Sequence, residues 1–313
     1  MALLNSEIEQ ENVHRFTHKA MATLYEILIE YDEKSYAEQT AKAAFDEIDR
    51  LEEELSRFLP NSEISMINNL QAGEKLLLSE DTLECLIQSQ KLFEITSGAF
   101  DITIGSYKES WGNENFSSKH LNANEPILVK QKFDINKFEH TITVLSDDLN
   151  IDLGGLGKGH ALDKVCDLLL EWDIENAFIH GGGSSVKSIG NLSNYQGWPI
   201  TLSNPINPKQ TLADILIKNF SISASGIKKG DHIFDPVRGV PIINRKAAWA
   251  ITGSAALSDA LSTAFMIMDV DSILQLCETN DDISAMIIEN EKNELAKNDL
   301  IISENFRAVK ILY

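Results

Sequence analysis

The stretch Ile151-Asp152-Leu153-Gly154-Gly155-Leu156-Gly157-Lys158-Gly159-His160-Ala161-Leu162-Asp163 sets glycines, a lysine and carboxylates between a short apolar run and an amphipathic segment. Downstream, Leu162, Val165, Leu168, Leu169 and Trp172 recur at helical spacing, which predicts a strand handing over to a helix after Gly159. Such a turn suits phosphate. Glycine lets a ligand come close to the backbone, the first N–H groups of a helix are unpaired, and the helix dipole favours negative charge there. Lys158 adds a mobile cation. Neither G-x-x-x-x-G-K-S/T nor G-x-G-x-x-G aligns with these glycines, so this is not a standard phosphate loop. A tight strand-to-helix turn without a ligand explains the local pattern equally well.

Composition narrows the field. The 313 residues suffice for one large domain or two smaller ones, and 43% hydrophobic content is ordinary for a globular chain. A formal net charge of -21 argues against broad nucleic-acid binding and against docking on an anionic membrane surface. Cys85, Cys166 and Cys277 show no C-x-x-C spacing and are expected to be free, buried thiols. Met1 to Lys19 is polar, with Glu7, Glu9 and Glu11 and no apolar signal core. Apolar runs such as Ala264 to Met268 are too short to span a bilayer. The expected compartment is the cytoplasm, with residues 1–17 a polar extension and 18–313 a single domain.

Periodicity predicts the elements. His18 to Glu30 ends in strand-like alternation, and Tyr36 to Phe58 carries apolar residues three or four apart. A helix is expected from Ser79, as N-cap, through Phe93 to the break at Thr96-Ser97-Gly98. Asp101 in Gly98-Ala99-Phe100-Asp101 reads locally as a turn residue or cap, and Asn113 to Lys132 as an exposed excursion. Strand-like runs follow at Thr141–Val144, Ile151–Leu153, Ala177–Ile179, Ile200–Leu202, Leu216–Ile217 and Phe220–Ile222. Ser254 to Met268 reads as a helix with Asp259 and Thr263 adjacent on one face. The class is α+β, with an antiparallel-rich mixed sheet.

Several stretches, in this order, carry a family resemblance: His18 to Thr23, Ser56-Arg57-Phe58 with Asn61 to Ser65, Thr96 to Asp101, the 151–163 stretch, Gly181-Gly182, Ala224-Ser225-Gly226, His232 to Pro236 with Gly239, and Asp259 to Thr263. Together the chain resembles the ApbE family of FAD:protein FMN transferases. The resemblance implies an FAD cleft between two lobes, lined by Met21, Phe58, Ala99, Phe100, Asp101, Asp152, Lys158 and Ile233. It also implies magnesium held by the side chains of Asp259 and Thr263 and the carbonyl of Gly155. The reaction implied is attack by a Ser or Thr hydroxyl of a target flavoprotein on the FMN-side phosphorus of FAD, with AMP leaving. Lys158 would neutralise phosphate charge. His232, with an ordinary pKa near neutrality, is the best candidate base, and Asp235 would orient it or bind the metal–phosphate unit.

Departures from the family pattern are visible. Ala22 stands where the family usually has glycine, which would crowd the flavin by a methyl group. Gly183 and Ser184 stand where an aspartate often follows the paired glycines. Two other readings stay open on the residues alone: hydrolysis of FAD to FMN and AMP at the same site, or an FAD-binding protein without chemistry.

Overall fold

The computed structural model describes residues 2–3, 12–106, 131–226, 233–236, 238, 240–242, 245–306 and 310–311. The described strands begin with β1 (Ala2–Leu3), β2 (Val13–Ala20), β3 (Thr23–Glu30), β4 (Lys75–Leu77), β5 (Phe133–Asn136), β6 (Thr141–Val144), β7 (Ala177–Gly181) and β8 (Ser185–Ile189). They continue with β9 (Trp198–Ser203), β10 (Thr211–Ile217), β11 (Ser221–Gly226), β12 (Phe234–Asp235), β13 (Val240–Pro241), β14 (Ala247–Thr252), β15 (Ser284–Ile288), β16 (Ile301–Ile302) and β17 (Lys310–Ile311). The helices are α1 (Lys34–Leu55), α2 (Glu63–Asn68), α3 (Glu80–Ile95), α4 (Gly157–Glu171), α5 (Ala255–Ala264) and α6 (Val270–Thr279).

An eight-stranded sheet in the order β16-β15-β14-β11-β8-β7-β3-β2 organises the molecule. Strand alternation gives it two differently dressed faces. Leu28, Phe178, Val186, Ile222, Trp249 and Met286 pack toward a four-stranded sheet, β1-β9-β10-β17, around the buried Trp198. On the other face, Tyr25, Ile27, Ile29 and Ile179 meet Ala37, Ala41, Ala44 and Ile48 of α1 and Leu162, Val165 and Leu169 of α4. Further along that face, Ala248 and Ala250 are small enough for α5 to settle closely, and Leu261 and Phe265 complete the layer. A three-stranded sheet, β4-β6-β5, and a short β12-β13 pair lie outside this frame. The pairings among the described residues are antiparallel, so the α+β class stands and the sheet expected to be mixed has no parallel pair there.

Local signals place most helix starts. Ser62, Ser79, Ser254 and Asp269 cap α2, α3, α5 and α6 by accepting an N–H bond from the first turn. Strand β2 starts at Val13, within the stretch 1–17 expected as a polar extension, and Ala2–Leu3 pairs with β9. Helix α1 ends at Leu55, and Ser56 turns extended to open the loop expected from Ser56 to Ser62. Two expectations shift. Ile151–Leu153 is not a strand: the Asn68 amide both donates to the Ile151 carbonyl (2.9 Å) and accepts its N–H (2.6 Å), and Asp152 N–H goes to the Ile102 carbonyl (2.7 Å). These bonds replace a ladder. Helix α4 starts at Gly157 instead of after Gly159, with Leu156 as N-cap. The excursion expected over 113–132 lies almost wholly outside the described residues. No helix among the described residues is long and apolar enough to cross a membrane.

Candidate active site

The loop after α3, the 152–155 turn, the 233–236 segment and the end of α5 converge on one cleft. Ala99, Phe100, Asp101, Asp152, Gly155, Ile233 and Thr263 line it, together with Ile104, Phe234, Pro236 and Ile267. Asp101 keeps the capping role its local reading allowed, its carboxylate accepting the Thr103 N–H at 2.7 Å. Asp152 shapes the turn in the same way, accepting the Gly154 N–H at 2.7 Å, and its other oxygen lies 3.4 Å from an Arg57 guanidinium nitrogen.

Beside this cleft lies a buried carboxylate, Asp259, at 4% exposure. Its Oδ2 accepts the Lys158 ammonium (3.1 Å) and the Gly159 N–H (3.3 Å), and its Oδ1 accepts the Ser185 hydroxyl (3.0 Å). Lys158 also reaches the Gly154 carbonyl at 3.1 Å. A Cβ at Gly155 would stand 3.2 Å from the Phe100 ring and 3.5 Å from the Oγ1 of Thr263, one turn along α5 from Asp259, so the missing side chain leaves room in this corner. Gly159 is needed for a different reason: a Cβ there would stand 2.2 Å from the Ala255 carbonyl oxygen, so only glycine lets α4 and α5 meet. The carboxylate of Asp259 and hydroxyl of Thr263 are hard oxygen donors, a chemistry that fits a divalent cation such as magnesium.

The remaining expected residues are placed unevenly. Met21 sits in the β2–β3 turn, its N–H on Glu52 (2.7 Å) and its sulfur accepting the Tyr25 hydroxyl (3.1 Å). Burial first, then Asp259 and Glu52, hold the Tyr25 phenol well above its ordinary pKa, so Met21 borders the same charged corner. Phe58 is not a cleft wall here: it is 80% exposed, with the Arg57 guanidinium 5.1 Å from its ring centroid. Asp235 accepts the Arg238 N–H at 3.1 Å and pairs with its side chain at 3.6 Å. His232 lies outside the described residues. The crowding expected from Ala22 has a backbone counterpart, since Ala22 and Met21 hold positive φ values of 57° and 48°.

Arg57, Ser185, Ser225 and Asp163 carry no role legible in the sequence: Arg57, Ser225 and Asp163 stand within the quoted stretches, yet nothing local shows what they touch. Asp163 caps a helix other than its own, its oxygens accepting Ala255 N–H (2.8 Å), Ala256 N–H (2.9 Å) and the Ser254 hydroxyl (2.7 Å) at the head of α5, with Lys187 paired to it. A second cluster, Asp81, Glu84 and His160, is an ion-pair hub: Arg50 (2.5 Å) and Lys164 (3.1 Å) already neutralise Asp81.

Fold and site together define an α+β protein with a cleft that has Phe100 in its wall and, beside it, a buried carboxylate, Asp259, paired with Lys158. The ApbE family model matches residues 21–287. A Vibrio cholerae relative called FAD:protein FMN transferase is 26% identical, over 93% of this chain and 92% of its own. Among solved structures, a point variant of the Vibrio cholerae flavin transferase ApbE superposes with a TM-score of 0.80 at 22% identity, covering 94% of this chain and 98% of that one. The ApbE protein of Thermotoga maritima gives 0.79 at 24% identity, covering 93% and 97%. The chain belongs to the ApbE family.

Proposed function

We propose that this chain transfers FMN from FAD to a Ser or Thr hydroxyl of a target flavoprotein. The observation that carries the reading is the meeting of Lys158 and Asp259 at 3.1 Å, beside Thr263 in a cleft walled by Ala99, Phe100 and Ile233. One end of the site offers apolar surface and a ring for a flavin, the other a cation for a pyrophosphate and oxygen ligands for a divalent metal beside it. The name borne by the Vibrio cholerae relative supports the same activity.

In this reading Ala99, Phe100 and Ile233 flank the isoalloxazine, and Asp101 and Asp152 fix the turns beneath it. Lys158 exchanges its bond to Asp259 for the phosphate oxygens. Asp259 and Thr263, with the Gly155 carbonyl, would hold magnesium. When bound, magnesium supplies charge neutralisation on the phosphates and on the leaving AMP. The acceptor oxygen bonds to the FMN-side phosphorus, the bond from that phosphorus to the AMP phosphate breaks, and His232 takes the hydroxyl proton. Asp235, tied to Arg238, orients that segment.

The test is incubation of the protein with FAD, magnesium and an acceptor domain, following AMP, free FMN and acceptor mass. Acceptor mass rising by one FMN is the expected result. Free FMN with an unmodified acceptor would mean hydrolysis, and intact FAD would mean a binding protein. Asp259→Ala should lower the rate more than about 100-fold, and His232→Ala by about 100-fold or more, the scale of a general base. Unchanged turnover of Asp259→Ala at limiting magnesium rejects the ligand assignment.

A further inference from the structure

A row of hydroxyls joins β11 to α5. Ser221, Ser223 and Ser225 alternate along the strand onto one face, and Ser258 and Ser262 lie one helical turn apart opposite them. Ser258 is bonded to Ser221 (2.8 Å) and Ser223 (2.9 Å), and Ser225 is bonded to Ser262 (2.9 Å) and to Thr263 Oγ1 (3.2 Å). From the neighbouring strand β8, whose Ser185 pairs in register with Ser223, the fully buried Ser185 hydroxyl donates to Asp259 Oδ1 at 3.0 Å.

We propose that Ser185 and Ser225 are positioning residues for the divalent-cation site, Ser185 acting through Asp259 and Ser225 through Thr263. The inference rests on Asp259 and Thr263 being the cation's side-chain ligands. A buried carboxylate turns about its last torsion unless both oxygens are held. Here Ser185 holds Oδ1, while the Gly159 N–H holds Oδ2 at 3.3 Å even when Lys158 moves to phosphate. A ligating hydroxyl must present a lone pair to the cation and send its proton elsewhere. Thr263 donates that proton to the Asp259 carbonyl (3.3 Å), and the Ser225 contact fixes the rotation of its oxygen. Groups that orient metal ligands in this way are commonly worth about 10- to 100-fold in affinity.

The row contains its own control, because Ser221 bonds Ser258 and the Val186 carbonyl (2.7 Å), neither of them a ligand. The experiment titrates Mn2+, an EPR-visible magnesium substitute, into the FAD-loaded full-length protein and records Kd and Tm. Expected are Kd values about 10-fold or more weaker for Ser185→Ala and Ser225→Ala, a near wild-type Kd for Ser225→Thr, and for Ser221→Ala a lower Tm with Kd unchanged. Wild-type affinity in both alanine variants overturns the positioning roles, as does an equal loss in Ser221→Ala, which would mark a packing effect. Should Ser185→Ala fail to fold, the Ser225 pair of variants decides. No Mn2+ uptake by the wild type, or full uptake by Asp259→Ala, overturns the ligand assignment and this proposal together, whereas intact wild-type uptake with unaffected serine variants overturns the proposal alone.

Discussion

Ala22 occupies a left-handed backbone position, φ 57°, beside Met21 at φ 48°, in the turn that joins β2 to β3. An L side chain in that region meets its own carbonyl at a cost of about 1–2 kcal/mol, which glycine avoids. Glycine also has more freedom to lose on folding, which returns about 0.5–1 kcal/mol. Ala22→Gly should therefore stabilise the protein by up to about 1 kcal/mol, measured as an increased urea midpoint at constant m-value. A destabilised variant would mean that the Ala22 methyl makes a contact worth more than the strain. The same turn places Met21 against Glu52 and Tyr25, so relaxing it should leave the charged corner intact.

Between elements, the close approach of α4 and α5 is the feature on which the site depends. Gly159 permits it sterically, Asp163 caps α5 across the gap, and the Gly159 N–H reaches Asp259. Gly159→Ala forces a methyl into backbone at 2.2 Å from the Ala255 carbonyl, so the helices must separate. Overpacking of this kind costs about 1–3 kcal/mol. The expected outcome is a loss at the upper end of that range, with transfer activity falling further than the loss of folded protein explains. Circular dichroism melts and activity per folded molecule measure the two effects separately, and a variant of full activity and stability would refute the steric role.

At the scale of the whole molecule, Asp81 ties together α1 through Arg50 and α4 through His160 (3.1 Å) and Lys164. The hydrogen bond from His160 first, then Arg50 and Lys164, hold its carboxyl well below the ordinary range. A carboxyl whose pKa is depressed on folding contributes stability that is present above its unfolded pKa, about 4, and is lost as pH falls through the folded value. The wild type should lose stability from about pH 5 downward, and Asp81→Asn should show a shallower decline. At pH 7 that variant should already be weaker by about 2 kcal/mol, between the exposed and fully buried ion-pair limits. Urea unfolding at stepped pH checks both, and parallel curves for the two proteins would exclude Asp81 as the acid-sensitive tie.

The sequence by itself determined the α+β class, the helices with apolar periodicity, the Ser79 cap and several strand centres, while the family resemblance singled out Ala99, Phe100, Asp101, Asp152, Gly155, Ile233 and Thr263, which line one cleft. Those signals are local: a cap, a period or a short motif acts within one or two turns of chain. Only the tertiary structure decided that Ile151–Leu153 is held by Asn68 in place of a strand partner, that α4 starts at Gly157, and that Phe58 faces outward. It alone brought Ser185, Gly159 and Lys158 onto Asp259 from 74, 100 and 101 positions away. The reason is physical. Which hydroxyl or N–H satisfies a buried carboxylate depends on how closely α4, α5 and the sheet pack, and that distance is set by Gly159, Ala248 and Ala250 acting together rather than by any one stretch of sequence.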